Sequence, residues 1–196
     1  MASLHTMIKN FSGWVLFCCC CCLPLLTSPL PLKGAGVVST AHHACRLKKI
    51  HFQQPYIRNC TYTLAKMARV SDQDTDNRLI GQQLYVNVRE TNRCYVMKRV
   101  VEIVVTDVLL TVAKNQYPNA EKVAQFLASL TSELRSCHSL GQKDHIEKNL
   151  EEMKNKMEQL GVNGKTKAIG ELDLLFDYVE NACTDAPKKG GNKKKI

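Results

Sequence analysis

Apolar side chains between residues 119 and 183 recur every three or four positions, the spacing that lines one face of an α-helix. This pattern predicts three helices. The first runs from Asn119 to Cys137, the second begins near Asp144 as a candidate N-cap and stops at residues 161–164, and the third ends at Cys183. Their apolar positions are Ala120, Val123, Ala124, Leu127, Leu130 and Leu134, then Ile146, Leu150, Met153, Met157 and Leu160, then Ala168, Leu172, Leu175, Phe176 and Val179.

The valine-rich stretch from Cys94 to Lys114 is ambiguous, because β-branched residues favour strands. Its length argues against a strand, since more than 20 residues follow one another without Gly or Pro. A helical stripe is also present. We therefore predict a central helix that is covered on most sides. The stripe consists of Met97, Val101, Val104, Val108 and Val112, and Val100, Val105 and Leu109 widen it.

An earlier helix is predicted to begin near Pro55, a residue type that suits the first turn, and to end in the polar stretch from Ser71 to Asn77. For residues 78–93 we predict a loop with a short helical turn. Five or six amphipathic helices without strand signals predict an all-α bundle, because each helix must bury its apolar face against the others.

The first 36 residues have the pattern of a secretory signal peptide. They contain Lys9 but no acidic residue before the apolar run Trp14 to Leu26, and small residues follow at 34–36. The alternative is a membrane anchor, but about 13 apolar residues fall short of the roughly 20 that span a bilayer. We expect residues 1–36 to be removed near Gly36 and the remainder to be extracellular.

Positive charge is concentrated at the C-terminal end. The whole chain carries +9, of which the signal contributes Lys9 and Lys33 and the tail contributes five lysines against one aspartate. Because residues 184–196 combine lysine with glycine and proline, we expect a disordered basic tail. It is either a solvated end or a weak contact for glycosaminoglycans. We expect no nucleic-acid partner.

Cysteine usage predicts two disulfides and one unpaired thiol. The run from Cys18 to Cys22 belongs to the signal, which leaves five cysteines and 15 possible arrangements. Two of them open and close long helices, so antiparallel packing would bring Cys94 and Cys183 to the same end. The cysteine that closes another helix, Cys137, could reach Cys45 in the N-terminal segment.

Asp72, Asp74 and Asp76 imitate the start of a calcium-binding EF-hand loop. The motif is incomplete, because Asn77 occupies the position that requires glycine and Gln83 occupies the position that requires a bidentate glutamate. A solvated polar loop and a partner-binding loop are the two remaining interpretations.

Histidines and cysteines do not form a recognisable metal or catalytic motif. His42, His43, His51, His138 and His145 lack the spacing of a metal site. Cys137 precedes His138, but adjacent residues on a helix point in different directions and no third group orients them. We therefore predict no cofactor, no metal and no enzymatic activity.

Asn59, Cys60 and Thr61 form an N-x-T acceptor for an N-linked glycan, and we expect Asn59 to be glycosylated. Cys60 is the cysteine that we expect to remain outside the two disulfides. It is either a partly buried free thiol or the site of a disulfide to another molecule.

Several segments between about residues 45 and 183 resemble the interleukin-10 family of class II helical cytokines. The last long block is the most specific of them. The segments are Cys45–Leu47, Phe52–Ile57, Leu64–Lys66, Thr75–Asp76 with Arg78–Gly81, Cys94–Tyr95 with Met97–Lys98, Cys137–His138, Lys167–Phe176 and Asn181–Cys183.

The resemblance implies that residues 37–183 form a cytokine domain, a compact bundle of six helices. It also implies the bridges Cys45–Cys137 and Cys94–Cys183, the pairing that helix packing favours. Cys60 departs from the family pattern but leaves the glycosylation triplet intact. The family's other glycan positions fall on Gln73 and Glu102, which cannot be modified.

Receptor binding is the function that the resemblance implies. The family joins a specific receptor chain to the shared second chain of the interleukin-10 receptor, which activates Janus kinases, and a soluble decoy receptor is a further possible partner. The second chain is expected at Gln54, Tyr56 and Asn59, although Asn119 replaces a family tyrosine nearby. The first chain is expected at Lys66, Thr75, Asp76, Arg78, Lys167, Gly170 and Glu171. The charged members suit an interface but equally suit an internal ion network.

Two other interpretations remain open. The chain could belong to another branch of the family, or it could be a helical carrier whose stripes enclose a small apolar ligand. Seams of Leu, Val and Met give no indication of a void, and an enzyme is the least favoured class. We expect a monomer, although dimers that exchange helices occur in the family.

Overall fold

The structure, a computed structural model, describes residues 45–74 and 76–184, and this part of the chain contains six α-helices joined by loops and short 3-10 helices. Within these ranges there is no strand, which confirms the all-α prediction. Thr75 and the expected signal peptide lie outside the described residues, as does the basic tail from residue 185. The helices are α1 (Pro55–Ser71), α2 (Arg93–Ile103), α3 (Ala120–Glu133), α4 (Lys143–Gln159), α5 (Val162–Gly170) and α6 (Leu172–Cys183).

The valine-rich stretch is a helix at the centre of the bundle, as predicted. Helix α2 continues into one wide π-type turn, Val104–Leu109, in which the N–H of Leu110 donates to the carbonyl of Val105. The chain leaves the helical path there, before the predicted end at Lys114. Buried side chains cover most of its circumference, namely Val96, Met97, Val100, Val101, Ile103, Val104, Val105, Val108 and Leu109.

The end of α3 and the start of α4 also differ from the predictions. Helix α3 ends at Glu133, and Leu134 to Cys137 form turns whose apolar side chains remain buried. The residue before α4 is Gln142, with φ of 59°, so Asp144 lies in the first helical turn and is not the cap. The Gln142 side chain accepts the N–H of Arg89 at 2.9 Å, a tertiary contact that fixes this start.

The predicted last helix is two helices, α5 and α6, which meet at Glu171. Because apolar positions continue across the break, the sequence pattern does not show it. The break that was predicted at residues 161–164 is also shorter than expected, because Gly164 already lies within α5. A Cβ on Gly164 would stand 1.9 Å from the carbonyl oxygen of Met157, so only glycine allows α5 to pack this closely on α4.

One apolar core joins the helices to the N-terminal segment. The Phe52 ring meets Phe176 edge to face, with centroids 5.2 Å apart. Other fully buried side chains in this core include Leu64, Met97, Leu127, Ile146 and Ile169. No helix of the described ranges is long and apolar enough to cross a membrane.

Two disulfides lie close to each other at one end of the bundle with the predicted pairing, Cys45–Cys137 and Cys94–Cys183. They span 92 and 89 positions of the chain. Loop-closure entropy assigns bridges of this span about 4–5 kcal/mol each. Cys60 is free and buried.

Candidate functional site

The loop that follows α1 is held in shape by its own acidic side chains. Asp74 accepts the N–H groups of Asp76 and Asn77, both at 3.1 Å, and the Asn77 amide at 2.8 Å. Burial acts to raise the pKa of Asp74, but these hydrogen bonds outweigh it, and the pKa is lowered. The carboxylates therefore serve the turns of the loop.

Lys167 ties this loop to helix α5. The residue is only 4% exposed, and its ammonium group donates to the carbonyl of Asp74 and to the carboxylate of Asp72, the latter at 3.2 Å. A buried ammonium loses much of its hydration, and these two acceptors replace part of it. Lys167 thus joins two segments that are 93 to 95 positions apart.

Glu171 ties the same loop to the junction between α5 and α6. The residue is 8% exposed, and its carboxylate accepts the N–H groups of Leu79 and Ile80 at 3.0 and 2.7 Å. Burial raises the pKa of Glu171, although these N–H groups and the nearby Lys167 and Arg78 partly oppose the shift. The carboxylate caps backbone groups that the apolar surroundings would otherwise leave unsatisfied.

Gly170 lets α1 pack closely on the end of α5. A Cβ at this position would lie 3.3 Å from Cγ of Arg69, which is tighter than most such contacts. Arg69 also forms an ion pair with Asp173 on α6. This hydrogen bond is the largest contribution that raises the pKa of Arg69. The C-terminal half of α1 is therefore fixed against both final helices.

The predicted first-receptor residues divide into an exposed set and a buried set. Lys66, Asp76 and Arg78 are exposed, whereas Lys167, Gly170 and Glu171 are buried. For Lys167 and Glu171 the structure favours the internal ion network over direct contact, because their charged groups are occupied inside the protein. We call the three exposed residues the loop surface and the three buried residues its frame.

Two apolar residues beside Lys66 were not among the predicted site residues. Val70 is 85% exposed and Met67 is partly exposed on the same helix. Residues four apart on a helix share a face, so Val70 adjoins Lys66. An exposed valine this close to the charged residues extends the loop surface with apolar area. Apart from the predicted end of α1, no pattern in the sequence pointed to this valine.

Gln54, Tyr56 and Asn59, the residues expected to meet the second receptor chain, are all exposed at the other end of α1. We call them the helix-start surface. Tyr56 and Lys66 are ten positions apart, which corresponds to about 15 Å along a helix. The loop surface and the helix-start surface are thus separate regions.

Lys122 on α3 orients Tyr56 and was missed by the sequence reasoning. Its ammonium group donates to the Tyr56 hydroxyl oxygen at 2.7 Å and lies 5.4 Å from the ring centroid. The hydrogen bond to Tyr56 raises the pKa of Lys122. Lys122 lies three positions after Asn119, the residue that replaces a tyrosine of the family pattern.

The glycosylation triplet lies at the start of α1 with its asparagine in solvent. Asn59 is exposed, while Cys60 and Thr61 face the interior. The Thr61 hydroxyl donates to the carbonyl of Ile57 at 2.9 Å. The exposed position leaves room for a glycan, which would stand beside Tyr56.

Cys137, which was considered for catalysis, and His51, which was considered as a metal ligand, both make structural contacts. Cys137 is bonded to Cys45, so it has no thiol, and His51 lies 3.1 Å from the carboxylate of Glu133. Within the described ranges, no cluster of three His, Cys, Asp or Glu side chains could hold a metal ion.

Comparisons with known proteins agree with the sequence resemblance. The family described as "Interleukin 22 IL-10-related T-cell-derived-inducible factor" matches residues 45–183. Human interleukin-22 is 40% identical over 183 residues, covering 93% of this chain and 99% of the human protein. Mouse interleukin-22b is 43% identical over 139 residues, covering 71% of this chain and 78% of the mouse protein.

Proposed function

Because the chain belongs to the interleukin-22 family of interleukin-10-related cytokines, we propose that it is secreted and signals by joining two receptor chains. It is a cytokine and not an enzyme. The first partner is a specific interleukin-22 receptor chain, and the second is the shared second chain of the interleukin-10 receptor. Their association activates Janus kinases inside the cell. A soluble decoy receptor would compete with the first partner.

The observation that best supports this proposal is the division between the loop surface and its frame. Lys167 on α5 and Glu171 at the junction of α5 and α6 are buried and hold the loop, while Asp76 and Arg78 are exposed on that loop. A loop fixed in one conformation loses little entropy when it binds. The loop surface is therefore the proposed contact for the first receptor, and Lys167, Gly170 and Glu171 act as positioning residues. Thr75 is proposed as a further contact of this loop.

The helix-start surface is the proposed contact for the second receptor. Tyr56 is 57% exposed and is oriented by Lys122, so an aromatic ring is presented with little freedom left to lose. Asn59 and its proposed glycan lie on the next turn. The 15 Å or so between the two surfaces along α1 allows both receptors to bind one cytokine molecule.

The proposed domain limits follow the sequence expectations. Residues 1–36 are the signal peptide, residues 37–183 the cytokine domain and residues 184–196 a basic tail. We propose a monomer, because the described helices bury one apolar core within a single chain. A carrier of apolar ligands is disfavoured, since large side chains fill that core.

Titration of the secreted protein onto purified receptor ectodomains, singly and together, tests this proposal. We expect binding to the interleukin-22 receptor chain alone, and tighter capture of the second chain when the first is present. Asp76→Ala should weaken only the first step, and Tyr56→Ala only the second. Failure of either ectodomain to bind, or equal loss of both steps in each variant, would contradict the two-surface assignment.

A further inference from the structure

A surface cavity between the start of α2, the C-terminal half of α6 and the short 3-10 helix Gln82–Tyr85 has no role in the receptor proposal. Its volume is about 300 Å³, at the lower end of the range for small-molecule sites. Gln82 and Asn181 are exposed, so the cavity is open at the surface of the protein. We call it the Arg93 cavity. Its lining residues are Gln82, Tyr85, Arg93, Tyr178, Asn181 and Ala182.

Two tyrosines form an aromatic wall of this cavity. The ring centroids of Tyr85 and Tyr178 lie 5.9 Å apart. The amide group of Gln82 donates to the Tyr178 hydroxyl oxygen at 3.3 Å, which leaves the hydroxyl proton available for another acceptor. Burial raises the pKa of Tyr85, so its phenol is neutral near physiological pH. The wall therefore offers flat apolar area and hydrogen-bond donors, and it brings no negative charge.

Arg93 brings a positive charge to the cavity without an anionic partner. Its guanidinium lies 5.1 Å from the centroid of the Tyr85 ring. Within residues 45–74 and 76–184, the Nε atom is buried without a hydrogen-bond partner and the side chain forms no ion pair. None of the lining residues of the cavity is Asp or Glu. Because an unsatisfied N–H of a charged group is costly, the cavity has unused capacity to bind an anion.

A second arginine of the same protein shows the arrangement that Arg93 lacks. The Arg58 guanidinium lies 5.9 Å from the centroid of the Phe176 ring, and Asp173 and Asp177 line the cavity beside it. The Nη2 atom of Arg58 lies 3.7 Å from the Asp177 carboxylate. Both arginines thus lie over an aromatic ring, but only Arg58 has a carboxylate supplied by the chain. At Arg93 the carboxylate has to come from a ligand.

We infer that the Arg93 cavity binds a small carboxylic acid that carries a flat apolar ring. The planar guanidinium of Arg93 donates to both oxygens of the carboxylate, and the ring of the ligand packs against Tyr85 and Tyr178. Arg93 is the single cation among the lining residues, which matches the single charge of a carboxylate. The site is separate from the receptor surfaces and does not depend on the receptor proposal.

An NMR titration of the isotope-labelled protein with benzoate tests the site, with the Nε–H signal of Arg93 as the reporter. Acetate lacks the ring and benzamide lacks the charge. We expect benzoate to shift the Arg93 signal until it saturates, and the other two compounds to bind about 10-fold more weakly or less, because each loses one of the two contacts. The Nε–H signal of Arg58 should not move. Absence of saturation, or equal shifts with acetate and benzoate, would overturn the inference.

Two variants change the cavity in different ways. Arg93→Lys keeps a cation near Tyr85 but removes the paired donors, and Asn181→Asp places a carboxylate inside the cavity. Each should weaken benzoate binding about 10-fold, measured by saturation transfer to the benzoate ring protons. Arg58→Lys is the matched control and should bind benzoate as the parent does. Circular dichroism melting confirms that each variant is folded, and equal weakening in the Arg58 control would overturn the assignment to this cavity.

A receptor chain is another possible source of a carboxylate, so its binding is measured separately. We expect Arg93→Lys to bind the interleukin-22 receptor ectodomain as tightly as the parent, and benzoate not to compete with that ectodomain. Loss of receptor affinity in Arg93→Lys would show that an acidic side chain of the receptor occupies the cavity, and would overturn the assignment to a small acid. The benzoate titration contains no receptor, so failure of the receptor proposal would leave its result unchanged.

Discussion

The carboxylate of Glu171 accepts the backbone N–H of Ile80 at 2.7 Å, although 91 positions of sequence separate the two residues. Glu171 stands where α5 ends and α6 begins, and Ile80 belongs to the loop after α1. The break between the final helices and the shape of the loop therefore depend on one buried group.

Removal of that group should affect stability and receptor binding together. Glu171→Ala leaves the N–H groups of Leu79 and Ile80 without an acceptor, which costs about 1–3 kcal/mol. We expect a lower melting temperature, faster hydrogen exchange at Leu79 and Ile80, and weaker binding to the first receptor. Unchanged exchange with reduced binding would instead indicate that Glu171 contacts the receptor directly.

Exposed members of the loop surface should behave in the opposite way. Asp76→Ala or Arg78→Ala should weaken first-receptor binding by on the order of 2 kcal/mol, about 30-fold, and leave the melting temperature unchanged. Titration calorimetry and thermal melting measure the two effects. Glu151→Ala, an exposed change on α4, is the control and should alter neither. Parallel loss of binding and stability in Asp76→Ala would point to a folding role.

The pH dependence of stability should identify the ionisation of Glu171. Its pKa is raised in the folded state, so the charged form is disfavoured by folding, and this disadvantage disappears as pH falls towards 4.5, the unfolded value. Compared with Glu171→Gln, which does not titrate, the parent should gain stability between pH 7 and pH 4.5. Chemical denaturation at each pH measures the difference. A parent that loses stability relative to the variant over this range would show a lowered pKa.

Lys122 should matter for the second receptor and not for the first. Lys122→Ala removes the hydrogen bond and the cation–π contact that orient Tyr56, worth about 0.5–1 kcal/mol, and should weaken second-receptor binding about 2- to 5-fold. Lys122→Arg keeps a cation over the ring and should retain most of the affinity. Surface plasmon resonance on each ectodomain distinguishes the two steps. Equal effects of both variants would indicate that the receptor contacts the lysine ammonium itself.

Cys60 should be dispensable for the covalent structure. Its thiol is buried and unbonded, so the secreted protein should run as a monomer on gels with and without reductant. Cys60→Ala should leave that pattern unchanged and lower stability slightly, because a small cavity replaces the sulfur. A dimer that disappears with reductant, and is absent from Cys60→Ala, would show an intermolecular disulfide.

The sequence was sufficient to predict the helical class and both disulfides because these depend on long periodic stretches and on cysteine placement. Met97 and Val101 recur at a helical spacing that outweighs the strand preference of their neighbours. The break at Glu171 was not predictable in this way. Apolar positions continue through it, and the reason for it is a tertiary contact with Leu79 and Ile80.

The burial of charged residues could likewise not be predicted from the spacing of residues along the chain. Lys167 looks like an exposed helical lysine in sequence, and its partners Asp72 and Asp74 lie in a distant polar loop. The π-type turn at Val104 and the start of α4 at Gln142 also depend on packing and on contacts between segments. Lys122 was missed because a single basic residue on an amphipathic helix carries no local sign of an aromatic partner.

The hydrogen bond from Leu47 to Cys183 brings the beginning and end of the folded body side by side. A short linker from residue 184 back to residue 45 should therefore be tolerated, with a new opening placed in an exposed loop such as that around residue 115. In such a circularly permuted protein the joined ends lie at Cys183, and the loop surface lies near Leu172 at the opposite end of α6. The length of α6 separates the two by about 17 Å. Tags or dyes attached at the joined ends would report on the cytokine without standing over that surface.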